Sequence, residues 1–514
     1  MLLFFLFQRI YVQLKSKGKS CSIDDPCSYF DGLSKISPGD SIISCEQQVN
    51  TTDDLNQIRN LVIESINKGC SFDGNNIVID GSNSEYYFPA FILINNINST
   101  KISNIKFINF HSPILHTRNS YNTIIENISL HESIIFNQFS FITIASSEIY
   151  LKNVSLHKNA AKESSIISIH SSNVIFSSAF IYQNFLFHAS KHPMIYNIHS
   201  KIEFENSIFE KNSSPLSPLI SSESLSSIVL YNTHFLYCHH SQFFLLDDSN
   251  KLQIKNSKFY DCMGQLVSCI DRSEVNIYAT DVRIMLSHKY ALILVENSSL
   301  SISNSIFENI DSNYLALSRG SNSKINVLNT IFLSIKGKTS VLAGKQESKI
   351  TINNCSFQNT MVTIGAISSS RGIVEIDNSN FYKNWAPAVS VINSNANINN
   401  SSFSNSFSIN KWVVYGETSQ FSIKNSLFSD QTLKSLIHNN GDSVLYRLTF
   451  NSSKEYSLSA KLAEKCIECN FGVAVTDSTS NFIIIQMIII YAIIIAIVIS
   501  MLKRRKFFKP RKLL

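Results

Sequence analysis

Along most of the chain, apolar residues alternate with polar ones for four or five positions, break at an Asn, and resume at an aromatic or aliphatic residue. The string apolar, x, apolar, x, Asn, x, x, aromatic recurs as IEFENSIF (202–209), LQIKNSKF (252–259), LSISNSIF (300–307), INVLNTIF (325–332), ITINNCSF (350–357), VEIDNSNF (374–381) and FSIKNSLF (421–428). Alternation with a period of two is that of strands, and no apolar stripe at helical spacing runs through these copies. The Asn positions include 206, 232, 256, 304, 329, 354, 378, 400 and 425, and a degenerate copy around Thr280 fills the one double gap. Weaker copies extend the series back through Ser178, Asn153, Asn127 and Asn104 to Gly81, a step of 24 or 25 residues and about 15 rungs.

A unit this short cannot close its own core and must stack on copies of itself. The leucine-rich-repeat string is absent, and a propeller blade needs about 40 residues. The pattern therefore predicts a coil of parallel strands with turns about 4.8 Å apart, a rod of roughly 70 Å. The alternating Ile, Leu, Val and Phe fill its interior, and the Asn at each bend stacks as a hydrogen-bonded ladder.

Composition adds the ends. The chain is 44% hydrophobic and 16% charged, too apolar for disorder. Its formal charge of +6 is concentrated in the tail KRRKFFKPRK, and no basic stripe interleaved with aromatics occurs elsewhere, which argues against nucleic-acid binding. Residues 482–502 (FIIIQMIIIYAIIIAIVISML) are long and apolar enough for a transmembrane helix, and the basic run after them places residues 503–514 in the cytoplasm. Residues 1–20 hold a candidate signal peptide with a short apolar core, MLLFFLF. The expectation is a single-pass type I membrane protein at the cell surface, with the endoplasmic reticulum left open by the terminal Arg511-Lys512-Leu513-Leu514.

These repeats resemble the pectin-lyase-like right-handed β-helices, in particular the β-helix membrane proteins of ciliates. A looser resemblance, through FEKN (209–212), FYKN (381–384) and GAI (365–367), is to the chlamydial polymorphic membrane proteins. The fold class expected is all-β, a right-handed parallel β-helix plus one C-terminal transmembrane helix. It divides into a cysteine-containing cap (21–74), the coil (75–452), a juxtamembrane stalk (453–481), the span (482–502) and the tail (503–514). SPGDSI (37–42) resembles the lead-in segment of such coils, and residues 55–66 suit a capping helix.

Ten cysteines suit an exported chain. Cys238 and Cys262 each follow the repeat Asn by six residues, so stacking brings their Cα atoms to about 4.8 Å and suggests a rung-to-rung disulfide, with Cys269 a competing partner. Cys466 and Cys469 form a C-x-x-C without the context of a redox or zinc site and suggest a small local disulfide. Cys21, Cys27, Cys45 and Cys70 suggest staples of the cap, and Cys355 a buried thiol.

Hydrolases of the resembled family carry Asn-Thr-Asp, Asp-Asp, Gly-His-Gly and Arg-x-Lys on successive rungs. Here Asp247-Asp248 stands without a following Gly-His, Arg283-Ile284-Met285 departs from the last element, and His239-His240 lacks a third metal ligand nearby. The sequence thus points to a non-catalytic ectodomain without cofactor or metal, with a surface structural, adhesive, glycan-binding or protein-binding role. The alternative is a polysaccharide lyase or hydrolase of the same superfamily.

Overall fold

The computed structural model describes residues 8–471, except 15, 19, 84–86, 88, 188–190, 288–290, 313–317, 408–411, 430–435 and 452–465. Its strands all pair in parallel with the equivalent strand of the next turn, forming an all-β solenoid of about 14 turns. A representative turn runs Glu148–Lys152 along a first face, Ser155–His157 along a second, and Ala160–Ala161 then Ile167–His170 along a third.

Three corners separate the faces, and each holds a left-handed residue: Asn153, Lys158 and Ser171 in this turn, with φ of 51°, 56° and 48°. Among residues other than Gly, Asn tolerates that region best, because its short polar side chain bonds locally and relieves the clash of Cβ with the backbone. The repeat Asn is therefore chosen first for its φ, and the ladder is the second gain. Asn127, Asn153, Asn329 and Asn354 each donate from Nδ2 to the Oδ1 of the preceding corner Asn at 2.8–3.0 Å.

The residue after the first corner is a buried Ser or Thr in most turns. The backbone N–H of Thr233, Thr280, Ser379 and Ser401 donates to the hydroxyl of its counterpart one turn later, Ser257, Ser305, Ser401 and Ser426, at 3.1–3.3 Å. A bend inside a dry coil would otherwise strand these donors, at about 1–3 kcal/mol each. Inward side chains fill the rest. Phe307, Phe332, Phe357, Phe381, Phe403, Phe428 and Phe450 form a continuous stack with centroids 4.8–5.5 Å apart and interplanar angles of 20° or less.

The ends differ from expectation. Arg9–Val12, inside the segment the sequence offers as a signal, pairs with Ser41–Ser44, and Ile10 and Val12 are fully buried. Ser41–Ser44 pairs in turn with Ser71–Asp80, so the coil begins within the cap. Helix α1 (Tyr29–Lys35) and helix α2 (Thr52–Asn67) close that end; α2 starts on Thr51 as N-cap and buries Leu55, Ile58, Leu61, Val62 and Ile66. It is the capping helix expected over 55–66. Gly81 is not in the repeat-Asn column: Asp80 pairs with Ile108, so Gly81 sits at the second corner beside Asn109, and Asn76 occupies the first.

At the other end, residues 466–471, inside the segment the sequence assigns to a stalk, add a turn to the coil, the last among the described residues. Cys466–Ile467 pairs with Leu445 and Tyr446, and Asn470–Phe471 with Thr449 and Phe450. Glu468 is the left-handed corner, and Cys466 and Cys469, joined by a disulfide, bracket it. Among the described residues no helix is long and apolar enough to cross a membrane; the expected span 482–502, the tail 503–514 and residues 1–7 lie outside them.

Candidate functional site: a groove along the third face

The third face is the one the repeat leaves irregular. Between the second corner and its main strand, turns carry insertions of different length, several of them partly outside the described residues. Outward positions along its floor run in register from Arg319 through Ala343, Ser368 and Ser390 to Tyr415 and His438. Ala343 and Ser390 point outward yet are only 8% and 5% exposed, and they share a cleft with Thr339 and Ile364.

Two clefts open in this groove. The C-terminal one, about 160 Å³, is lined by Arg319, Thr339, Ile364, Ser368 and Ser390, and the Arg319 Nε is buried without a partner. Beside it the insertions carry Met361, Trp385 and Phe407, 45%, 48% and 44% exposed, on consecutive turns. Trp385 and Phe407 lie 5.9 Å apart, and His438 meets Trp412 at 4.7 Å and Tyr415 at 5.4 Å. Aromatic side chains held at the water boundary in this way are characteristic of recognition surfaces.

The second cleft, about 450 Å³, lies where Ser213–Glu223, His239–Asp247 and Lys258–Ile270 stack. The register shifts between Ser214 and Pro218, where Leu216 stands 68% exposed, and again between His239 and Gln242. His240 is 1% exposed and hydrogen-bonded to Ser214. Gln242 Nε2 donates to Gln265 Oε1 at 3.1 Å, and Gln265 is itself 1% exposed. Gly264 has φ +132°, and a Cβ there would overlap the His240 carbonyl oxygen, so only Gly lets the two turns close at this point.

Cys238 and Cys262 lie directly behind this cleft, where their neighbours pair Leu236 with Tyr260 and His239 with Met263. The sequence expects a bridge between them; the structure has two buried free thiols. Equivalent positions of a parallel stack send their Cβ atoms in the same direction, which keeps them about 4.8 Å apart, beyond the usual 3.5–4.5 Å of a disulfide. Each thiol instead donates to carbonyl oxygens: Cys238 to Phe209 at 3.4 Å and Cys262 to Tyr260 at 3.4 Å. Burial opposes ionisation of Cys238, but hydrogen bonds with the Cys262 thiol and the His240 ring outweigh it and push Cys238 down, while burial and Cys238 push Cys262 up. Elsewhere Cys21 and Cys27 are joined, and Cys45, Cys70, Cys269 and Cys355 are free.

The pair Asp247-Asp248 is exposed at the third corner, Asp248 in the left-handed region and 3.0 Å from Arg272. Arg283 is engaged by Asp281 at 2.7 Å and Glu308 at 3.4 Å. Among the described residues no group of three or more His, Cys, Asp or Glu is placed to hold a metal.

The family model described as right handed beta helix region matches residues 219–374. Over that stretch the parallel solenoid is thus a right-handed β-helix. No curated protein matches the chain. Among solved structures, the PL6 family alginate lyase AlyGC is similar at 9% identity and TM-score 0.23, over 90% of this chain and 99% of that one. The Streptococcus pneumoniae surface protein and adhesin PfbA is similar at 12% identity and TM-score 0.28, over 77% and 96%. The alginate lyase AlyF-OU02 follows at 8% and 0.31, over 83% and 88%. Both a lyase and an adhesin stand among these neighbours, and likeness at this level does not choose between them. None of these findings bears on the narrower resemblance to ciliate and chlamydial membrane proteins.

Proposed function

We propose that the chain is a membrane-anchored surface rod that binds a glycan strand along its third face without cleaving it. The carrying observation is the ridge of exposed Met361, Trp385 and Phe407 beside a floor of small residues. Aromatic rings stack on the apolar faces of sugar rings, the Ser and Ala floor gives the strand room, and Arg319 offers a cation to an acidic substituent. The anchor in this reading is the apolar segment 482–502, with the cysteine-bearing coil on the oxidising side.

The test is retention of the full chain on immobilised neutral and uronate polysaccharides, with Trp385→Ala combined with Phe407→Ala. Both side chains are about half exposed, so folding is expected to survive and affinity to fall at least tenfold. Unchanged retention refutes the groove as the binding surface. New reducing ends after incubation would establish the polysaccharide-cleaving alternative instead.

A further inference from the structure

The first corner, between the first and second faces, presents a row of Asn that the left-handed bend requires, whatever stands two residues further on. That later position opens the second face and points outward, and it is Ile208, His234, Lys258 and Ile331 in turns that use only the corner. In other turns it is Ser, at 129, 155, 356 and 402, which completes Asn-x-Ser with Asn127, Asn153, Asn354 and Asn400. All four Asn are exposed and hold φ between 47° and 53°, so the side-chain amide stands at an apex of the cross-section. Each donates from Nδ2 to a side-chain oxygen of an earlier turn at 2.8–3.1 Å. The amide nitrogen carries two hydrogens, so one can be replaced while the other keeps the ladder. Asn212-Ser213-Ser214 is the opposite case: the motif is present, but the Asn212 side chain is fully buried, donates to the Ile181 carbonyl at 2.6 Å and accepts from Asn184.

We infer that this edge is a column of N-glycosylation sites, Asn127, Asn153, Asn354 and Asn400, modified by transfer from a lipid-linked oligosaccharide. In the transfer, Asn Nδ2 forms a bond to the anomeric carbon of the first sugar. The bond from that carbon to the lipid pyrophosphate breaks, the pyrophosphate leaves with the electron pair, and one amide proton passes to a base; nothing is oxidised or reduced. In a three-sided coil the first corner lies opposite the third face, so the chain's own sugars stand away from the groove. Exposed motifs also occur at Asn50, Asn98 and Asn297, off this edge, and Asn297 is a third-corner residue. A bulky hydrated cover along one edge adds solubility to a chain that is only 16% charged. The inference rests on the reading of the coil as exported, because the donor lipid presents its sugar on the lumenal side.

The test expresses the full chain in a eukaryotic secretory host, releases N-linked sugars in heavy-oxygen water with the amidase that converts each modified Asn to Asp, and locates the label by peptide mass spectrometry. The expected result is label at Asn127, Asn153, Asn354 and Asn400 and none at Asn212. Ser155→Ala leaves the Asn153 corner and its ladder bond in place, and is expected to remove the label at Asn153 alone, with the Tm of the deglycosylated chain unchanged. Label at Asn212, or label at Asn153 that survives Ser155→Ala, overturns the inference. An unmodified chain whose coil is digested by protease from outside intact cells overturns the inference and leaves the surface reading standing. An unmodified chain whose coil is digested only after the plasma membrane is opened overturns both.

Discussion

Replacing Phe381 by Ala removes one ring from the middle of the interior stack, between Phe357 at 4.9 Å and Phe403 at 5.0 Å, nearly parallel to both. The ring is fully buried, so the loss of transfer energy plus the cavity amounts to about 3–5 kcal/mol. In a globular domain that loss would be felt everywhere. In a stack whose turns touch only their neighbours, stability is close to a sum of turn and interface contributions, so the loss stays near its origin. At about 1.4 kcal/mol per decade, a 4 kcal/mol loss raises local opening roughly a thousandfold. Hydrogen exchange read by mass spectrometry should show this in peptides covering residues 349–429, while peptides covering residues 92–182 keep their protection. Phe381→Leu should give a small fraction of the effect. Equal loss of protection along the whole chain would refute the argument, because it would mean the coil opens as one cooperative unit.

Asn329→Val forces a β-branched residue to φ 47° and cuts the ladder between Asn304 and Asn354; a loss of about 1–2 kcal/mol for the φ alone is expected in a denaturation midpoint, and Asn329→Gly should cost less. Burial, then Lys106 and His157, holds the His131 imidazole down at about 4 from its ordinary 6.5, with Glu132 opposing and Lys158 adding to the effect. The unfolded chain then binds the proton first, so stability should fall as pH drops from about 6.5 to 4, and Tm of His131→Gln should fall less over that window. Alkylation of the denatured, unreduced chain should modify six cysteines, the count left free beside the bridges Cys21–Cys27 and Cys466–Cys469; four by intact mass would show that Cys238 and Cys262 are bridged after all. Cys469→Ser should expose the turn 466–471 to exchange and leave the turn at 420–429 protected.

The coil was legible because its two strongest constraints, alternation and a left-handed corner, leave letters at fixed spacing: Asn at 329 or 354, Phe at 332 or 357. The last turn hid because Cys466-Ile467-Glu468-Cys469 writes the same corner with cysteine as the apolar letter and Glu in place of Asn. Gly81 misled because a second corner follows the first by about five residues, and both accept the same residue types. The groove was least legible. Trp385 and Phe407 lie in insertions that have no period, and the burial of His240 depends on two register shifts that only the stacking of three turns produces. Pro215 and Pro218, and a Gly at 264 inside an apolar strand, were the available signals of an interrupted repeat.

In-register stacking has a consequence for how such a chain can change length. The environment of Thr330 is that of Cys355 and Ser379, with the same corner before it, the same backbone bonds above and below and the same Phe column beside it. Excising residues 330–354, or duplicating them, would join surroundings that already match, and the cross-section would not change. Each such event would move the far end by one strand spacing, about 4.8 Å. The gene can therefore set the protein's reach in whole steps, by unequal crossing-over between repeats, without a new core ever having to be invented.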